Sequence, residues 1–560
     1  MTTLINHIRA SVIGDRMPIP TPFGPRPLIY ADYTASGRSL TFIEDAIRRQ
    51  VLPYYANTHS ESSFAGAQIS ALREEAREEI RRAVNAGPEH KVIFCGSGAT
   101  AAINKLIDIL NLRLPADLDK RHQLREQIPQ QQRPVVFIGP YEHHSNELPW
   151  RESIAELVSI PLNRQGGLDL NNLESLLQTY AERPMKIGSF SAASNVTGIK
   201  TDVAAVTQLL HRYDALSFWD YAAAAPYVGI DMCAVGDNGE DANKDAAFIS
   251  PHKFVGGPGT PGILVVHERL LKNSVPATPG GGTVLYVTPQ DHRYLDDPER
   301  CEEGGTPAIV ESIRAGMVFK LQGMVGTEEI ARREEHFIRR ALQRWSLEEN
   351  IEILGNLQAS RLSIASLRIL WQGKDLHYGF VVALLNDLFG IQARGGCSCA
   401  GPYGHALLGI DMEHSRALEE QILKGQKLLR PGWVRLNFNY FIDEDTFEYL
   451  LEAVALIARH GWKLLPYYAF DTAQGVWRFQ QEKLGPVVSL AEIDLFAGEI
   501  GEINEEEKPQ SLGTLSDYLA IAEEELCRAR PEAHYCELTL PVDAEALRWF
   551  ASPREAALAL

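Results

Sequence analysis

The stretch SPHKFVGGPGTPG, residues 250–262, places Lys253 directly after a histidine and ahead of a run built mostly from glycine and proline. An amine is costly to desolvate. Its position beside so much irregular backbone has two readings: a solvated lysine at the edge of a surface turn, or a lysine held for chemistry. Gly257, Gly259 and Gly262 satisfy G-x-G-x-x-G, but the dinucleotide reading of that pattern needs a strand before it and a helix after it. Here Pro258 and Pro261 remove backbone donors, and the following GILVVHE (262–268) reads as a strand. No Gly-Lys-Ser/Thr follows, so a nucleotide-triphosphate loop is rejected too. Lys253 is therefore expected on a connection between two sheet strands, where glycines let a ligand approach the backbone closely.

Outward from that connection, short β-rich runs alternate with helical stretches. KVIFC (91–95), RPVVFIG (133–139), MKIGSF (185–190), LSFWD (216–220) and DAAFIS (245–250) read as strands. AAINKLIDILNL, and a helix capped by Thr201 or Asp202, read as helices between them. The alternation predicts an α/β fold: a mostly parallel sheet of about seven strands covered by helices on both faces. A second α/β region follows, with a charged helix over 328–349, the strand RLSIASLRI, the helix GFVVALLNDLFG and the strand in GWVRLNFNYF. Residues 116–134 read as an exposed polar insertion, and GEIGEINEEEK (498–508) as acidic and turn-rich.

A lysine amine forms Schiff bases with aldehydes, and burial near cations lowers its pKa enough to make it nucleophilic. Pyridoxal phosphate (PLP) chemistry needs that lysine, an acid for the pyridine nitrogen and a phosphate cradle. Asp220 ends an apolar strand, where a carboxylate points into the ligand crevice of an open α/β sheet. GSGAT (96–100) lies between strand and helix, where free amides and the helix dipole favour phosphate. Ser250 and His252 are further donors to it. Each signal alone fits a turn or a cap; their occurrence in order on one sheet points to a PLP site.

With those residues in view, SPHKFVGGPGTPGILVV resembles the lysine segment of the class V aminotransferase and cysteine desulfurase family of fold-type I PLP-dependent transferases. ADYTASG (31–37) is similar to the family's N-terminal substrate segment, which contributes Ala35, and YANTHS (55–60) to its Asn-x-His element. GSGATAAIN matches the phosphate loop, so the resemblance assigns Gly98, Ala99 and Thr100 to the phosphate. YEHHSNELPW implies that His143, rather than His144, stacks on the cofactor ring. SNVTG implies Asn195 near cofactor or substrate. EEGGTP implies that Thr306 reaches the phosphate of a partner subunit, hence a homodimer. The likeness covers roughly residues 28–465. One departure concerns reaction specificity: Ala223 stands where desulfurases commonly carry a glutamine three residues after the pyridine aspartate, and molybdenum-cofactor sulfurases are similar to this chain there.

ARGGCSCAGPYG (393–404) bears on the reaction. Two thiols beside Arg394 in a glycine-rich loop favour thiolate, the form that attacks sulfur. A single C-x-C offers too few ligands for a metal, and none is expected. The segment resembles the cysteine loop of group II desulfurases and of the molybdenum-cofactor sulfurases, which implies that Cys399 carries a persulfide and leaves Cys397 a supporting part. Arg435 resembles the arginine that clamps the substrate α-carboxylate. The expected function is removal of sulfur from L-cysteine through Lys253, Cys399 and His143, giving alanine. The alternatives are a class V aminotransferase, C–S lyase or epimerase working without a persulfide, or a PLP-fold scaffold that relays sulfur without turnover.

Bulk properties bound the partners. At 560 residues, 45% hydrophobic and 23% charged, the chain has the composition of a soluble multidomain protein. A net charge of −19 argues against nucleic acid and anionic membrane as partners. A small amino-acid substrate and a sulfur-acceptor protein remain. Seven cysteines without framework spacing, and no signal peptide, fit the cytoplasm. The expected layout is an N-terminal segment (1–45) packing with a small domain, a large PLP-binding domain (46–315), the small α/β domain (316–465) and a C-terminal extension (466–560) without assigned role.

Overall fold

The computed structural model describes residues 2–58, 62–236, 239–480, 488–491, 493, 513–528 and 535–560. His59 and Ser60 of the Asn-x-His element, and the acidic run 498–508, lie outside them. The six runs read as strands, together with one that was not read (β3), form one seven-stranded sheet: β1 (His90–Cys95), β2 (Val135–Ile138), β3 (Glu156–Ser159), β4 (Lys186–Ser191), β5 (Leu216–Asp220), β6 (Ala246–Ile249) and β7 (Gly262–His267). Their order is β1-β7-β6-β5-β4-β2-β3. Neighbours are parallel except that β7 runs against both β1 and β6. Alternate residues fill opposite faces, as the pleat requires. Phe137, Trp219 and Val265 enter one core, while Val136, Phe218 and Leu264 enter the other. Burial on both faces explains why these strands read as continuous apolar runs.

This topology gathers the chemistry-bearing segments on one edge. β1, β5 and β6 point the same way, so Gly96, Asp220 and Ser250 all emerge at their carboxyl ends. β7 starts at that edge, since Gly262 pairs with Cys95. Helix α1 (Gly98–Ile109) leaves directly from β1, and α2 (Val203–Arg212) is capped by Asp202, which accepts from Ala205 N–H.

Helix α3 (Ile309–Val325) leads to the second body. The expected boundary at 315/316 falls inside α3, because Val318 and Phe319 bury their side chains in the first core and the helix cannot be divided there. Helix α4 (Thr327–Trp345) then packs on an antiparallel sheet of β8 (Ile351–Ile353), β9 (Ile364–Trp371), β10 (Lys374–Leu376), β11 (Arg394–Gly396) and β12 (Trp433–Asn437), with order β8-β9-β12-β11 and β10 beside β9. Helices α5 (Tyr378–Phe389) and α6 (Glu444–His460) cover it. The N-terminal segment divides between the bodies: Ile5 and Ile8 sit in the first core, Ile29 and Ala31 in the second. The C-terminal extension is built into the second core through Trp477, Tyr518, Leu526 and Phe550. Among the described residues, no helix is long and apolar enough to cross a membrane.

Candidate active site

A cavity of about 230 Å³ opens at the carboxyl edge of the sheet. It is lined by Lys253, Asp220, Gly98, Ala99, Thr100, His143, Asn195, Ser250, His252, Ala35, Cys399 and Arg435, all of them singled out from the sequence. Ala223 also faces it. Thr306 does not; it is exposed and outside the cavity of its own chain. A larger groove, about 820 Å³, lies against α4 with Glu334 and Arg361 in its wall, away from the lysine. Among the described residues, Cys397 and Cys399 belong to no cluster of metal-ligand type. Among the described residues that spacing occurs at Glu89, His90 and Cys233, beside the opposite end of β1.

Lys253 closes a single helical turn, Pro251–Lys253, that follows β6. The turn is pinned by Gly37 N–H donating to His252 O at 2.8 Å and Lys253 N–H donating to Ser250 O at 3.1 Å. The glycine–proline run serves this turn rather than a ligand. A Cβ on Gly257 would lie 2.0 Å from Pro251 O, so the run folds against the turn's own backbone and stays out of the cavity. Burial pushes the Lys253 ammonium down to about 8; Arg435 and Arg394 push the same way, and Asp220 opposes them. Burial pushes the Asp220 carboxyl up, with Lys253 as the opposing charge and Ala222 N–H donating to Oδ1 at 2.8 Å. A buried acid of this kind suits a cationic ring nitrogen as partner.

The turn into α1, the expected phosphate cradle, takes its shape from Gly98, whose φ of +58° and crowding against Ser250 Oγ and His252 Cε1 (2.9 Å from a built Cβ) exclude a side chain. Ala99 lines the cavity, but its N–H donates to Ser250 Oγ at 2.8 Å. The hydroxyl proton of Ser250 is thereby left to an anion at the start of α1. Thr100 Oγ1 lies 2.6 Å from Ser145 Oγ, a residue the sequence reading did not single out. Ser145 also sets the histidine: its backbone N–H donates to His143 Nδ1 at 3.1 Å, so the neutral ring carries its proton on Nε2. Burial, with Lys253 next, pushes His143 down to about 4, so the ring is neutral.

Two acids behind the site were also missed. Glu142 is buried and accepts from Gly139 N–H, Ser191 N–H, Ser191 Oγ–H and Asn146 Nδ2–H, tying the ends of β2 and β4 together. Burial pushes its carboxyl up to about 7, those donors oppose this, and Asp220 adds to the rise. Asp32 accepts from Arg435 Nη2 on Oδ1 and from Arg394 Nε on Oδ2, each at 2.9 Å. The only sequence signal for Asp32 was its place in ADYTASG.

The cysteine loop is laced to the first body. Asn195 Nδ2 donates to Ser398 O at 2.8 Å, His144 N–H to Cys399 O at 2.8 Å, and Gly401 N–H to His144 Nε2 at 3.0 Å. Arg435 Nη1 donates to Asn195 O at 3.0 Å. Thus Asn195 and His144 position the loop, and Ser398 and Cys399 hold left-handed φ values of +53° and +55° that turn Cys399 toward the cavity. An amine of lowered pKa, a buried acid, an anion cradle, a neutral histidine and a guanidinium share one small space with a thiol. The donor set fits PLP.

Residues 29–417 match the aminotransferase class-V family. The chain belongs to that family. It is 29% identical over 380 residues to a "probable cysteine desulfurase" of Halalkalibacterium halodurans, covering 67% of this chain and 85% of that one. It is 26% identical over 379 residues to a protein of the same description from Streptomyces coelicolor, with 67% and 84% covered. Among solved structures, it resembles an apo cysteine desulfurase from Thermococcus onnurineus (TM-score 0.61, 22% identity, 77% of this chain and 95% of that one). A cysteine desulfurase from Escherichia coli is similar as well (TM-score 0.59, 22% identity, 76% and 94%). The class-V family is one of PLP-dependent enzymes, and the enzyme class and fold expected from the sequence hold.

Proposed function

We propose that this class-V enzyme binds PLP on Lys253 and removes sulfur from L-cysteine through Cys399, releasing alanine. The observation that carries the reading is that the Cys399 loop closes the same cavity that Lys253 and Arg435 line. An aminotransferase has no use for a thiol there. When bound, PLP supplies an electron sink for the bonds at the substrate α- and β-carbons.

The chain's own residues supply the rest. Ser250, His252, Gly98 and Thr100 would hold the phosphate, Asp220 would keep the ring nitrogen protonated, and His143 would face the ring as a neutral imidazole. Arg435 presents a planar fork to the substrate carboxylate, with Ala35 at the wall. Lys253, with its lowered pKa, would be the group that carries the Cα proton. The Cys399 thiolate attacks the substrate sulfur: an S–S bond forms, the Cβ–S bond breaks, and its electron pair stays on carbon, which takes up protons to become alanine. A thiol acceptor, a sulfur-carrying protein, then takes the persulfide sulfur. The reading includes a second copy of the chain, to whose phosphate the exposed Thr306 is offered. All seven cysteines are free thiols, which supports a reducing compartment such as the cytoplasm.

The test is to give L-cysteine and a thiol reductant to the purified holoenzyme and measure sulfide and alanine, with Cys399→Ala alongside. Equal amounts of both, abolished by the substitution, are expected. Pyruvate in place of alanine, or sulfide that persists in Cys399→Ala, overturns the persulfide and leaves a C–S lyase.

A further inference from the structure

The C-terminal extension has no counterpart in the family match, which ends at residue 417. The Thermococcus structure is 95% covered by 77% of this chain. Two tryptophans of the extension nonetheless converge on one pair of residues at the start of α5. Trp477 Nε1 donates to His377 Nδ1 at 3.0 Å. Trp549 stacks on His377 (ring centroids 5.4 Å apart, planes at 25°) and on Tyr378 (6.2 Å, 15°), while its Nε1 donates to Leu429 O at 3.1 Å. His377 is fully engaged, its Nε2 donating to Leu428 O at 3.1 Å and its Nδ1 also accepting Gly379 N–H at 3.0 Å.

Tyr378 passes this constraint on. Its ring lies over Gly395 and Gly432 so closely that a Cβ on either would meet it at 2.7 and 2.8 Å. Gly395 belongs to β11, which pairs with β12 and runs straight into Cys397 and Cys399. Gly432 directly precedes β12, the strand of Arg435, and a Cβ there would also strike Gly396 at 2.7 Å. Burial, with Cys397 adding to it, pushes the Tyr378 hydroxyl up to about 12. Because neither glycine carries a side chain, both strands rest against the same ring.

We infer that the extension is a positioning element for the sulfur loop: Trp549 and Trp477 clamp His377–Tyr378, and Tyr378 fixes the base of the strand that carries Cys397 and Cys399. The inference deepens the desulfurase reading and rests on it for the loop's role in catalysis, but the mechanical coupling stands without it. Trp549, Trp477 and Tyr378 are positioning residues; none lines the reaction cavity.

The experiment compares full-length holoenzyme with Trp549→Ala and Trp549→Phe by hydrogen exchange of the 394–400 segment and by iodoacetamide labelling of Cys397 and Cys399, followed by peptide mass spectrometry. In Trp549→Ala, exchange over 394–400 should rise about tenfold, because opening of that segment no longer has to break the clamp. Labelling of Cys399 should change at least about threefold, and kcat with L-cysteine should fall about tenfold with little change in KM. The phenylalanine variant, which keeps the stacked ring, should restore most of both. A lowered melting temperature with exchange and labelling unchanged at 394–400 overturns the inference and leaves the tryptophan a merely structural core residue. Tyr378→Ala, which removes the ring from the glycines and leaves Trp549 in place, must reproduce the exchange and labelling changes; failure to do so also overturns it. If no variant or wild-type protein makes sulfide while the exchange and labelling changes appear, the desulfurase reading fails and the coupling holds.

Discussion

Arg435 donates from Nη2 to Oδ1 of Asp32 at 2.9 Å, although 403 residues separate the two. The same carboxylate takes Arg394 on its other oxygen. One acid thus orients two guanidiniums lining the cavity and leaves one net positive charge there. Burial pushes Arg435 down and Asp32 opposes that, so the pair holds the buried arginine charged.

Arg435→Lys should therefore be a poor substitute. A point charge loses the fork that spans Asp32, Asn195 O and substrate, and charge-assisted hydrogen bonds are worth about 1.5–3 kcal/mol each. We expect kcat/KM for L-cysteine to fall by about 10- to 100-fold, mostly through KM. Steady-state kinetics across cysteine concentration check this; a change confined to kcat speaks against a carboxylate clamp.

The lowered pKa of Lys253 sets a pH dependence for cofactor capture. The amine must be neutral to attack an aldehyde, and Lys253 sheds its proton near 8 because burial disfavours the charge. The rate at which cofactor-free protein acquires the visible absorbance of bound PLP should rise from pH 6, bend near 8 and flatten above it. An ordinary lysine would keep the rate rising toward about 10.4. Continued rise past pH 9.5 would show that the amine is solvated.

Ser250→Ala tests the cradle. It removes the acceptor of Ala99 N–H and the hydroxyl left for the phosphate. Loss of one such bond to a charged group is worth about 2 kcal/mol. The dissociation constant for PLP should rise about 30-fold, while Cys399 labelling stays at the wild-type rate. Equilibrium dialysis against PLP reads the first and peptide mass spectrometry the second.

His143 should show no titration of its own in the working range. Its ring is neutral above about 4, with Ser145 N–H on Nδ1, so a kcat–pH profile between 5.5 and 9 should lack a limb that disappears in His143→Gln. The substitution should still lower kcat by about 10²-fold or more if the Nε2 proton takes part in transfer. A limb near pH 6.5 that is lost in the variant would place the histidine in an exposed, protonatable state.

Much of this protein was legible along the chain, wherever local pattern decides structure. The two-faced burial of one parallel sheet writes itself as apolar runs, so its strands could be read, apart from the half-exposed β3. Lys253, Asp220 and GSGAT lie at strand ends, and the carboxyl edge of such a sheet is where their side chains must meet. Tertiary structure alone decided the rest, because the partners lie far apart in sequence and carry no periodic signal. Asp32 was one acid among 73 acidic residues until the fold set it between two arginines. The glycine–proline run looked like a ligand's approach path and proved to be backbone packing against the lysine turn. Residues 466–560 read as an extension without assigned role, and only the folded chain brought Trp477 and Trp549 onto His377 and Tyr378 beneath the cysteine loop. Strand and helix patterns are set by each residue's immediate neighbours; the meeting of distant side chains is set by how whole elements pack.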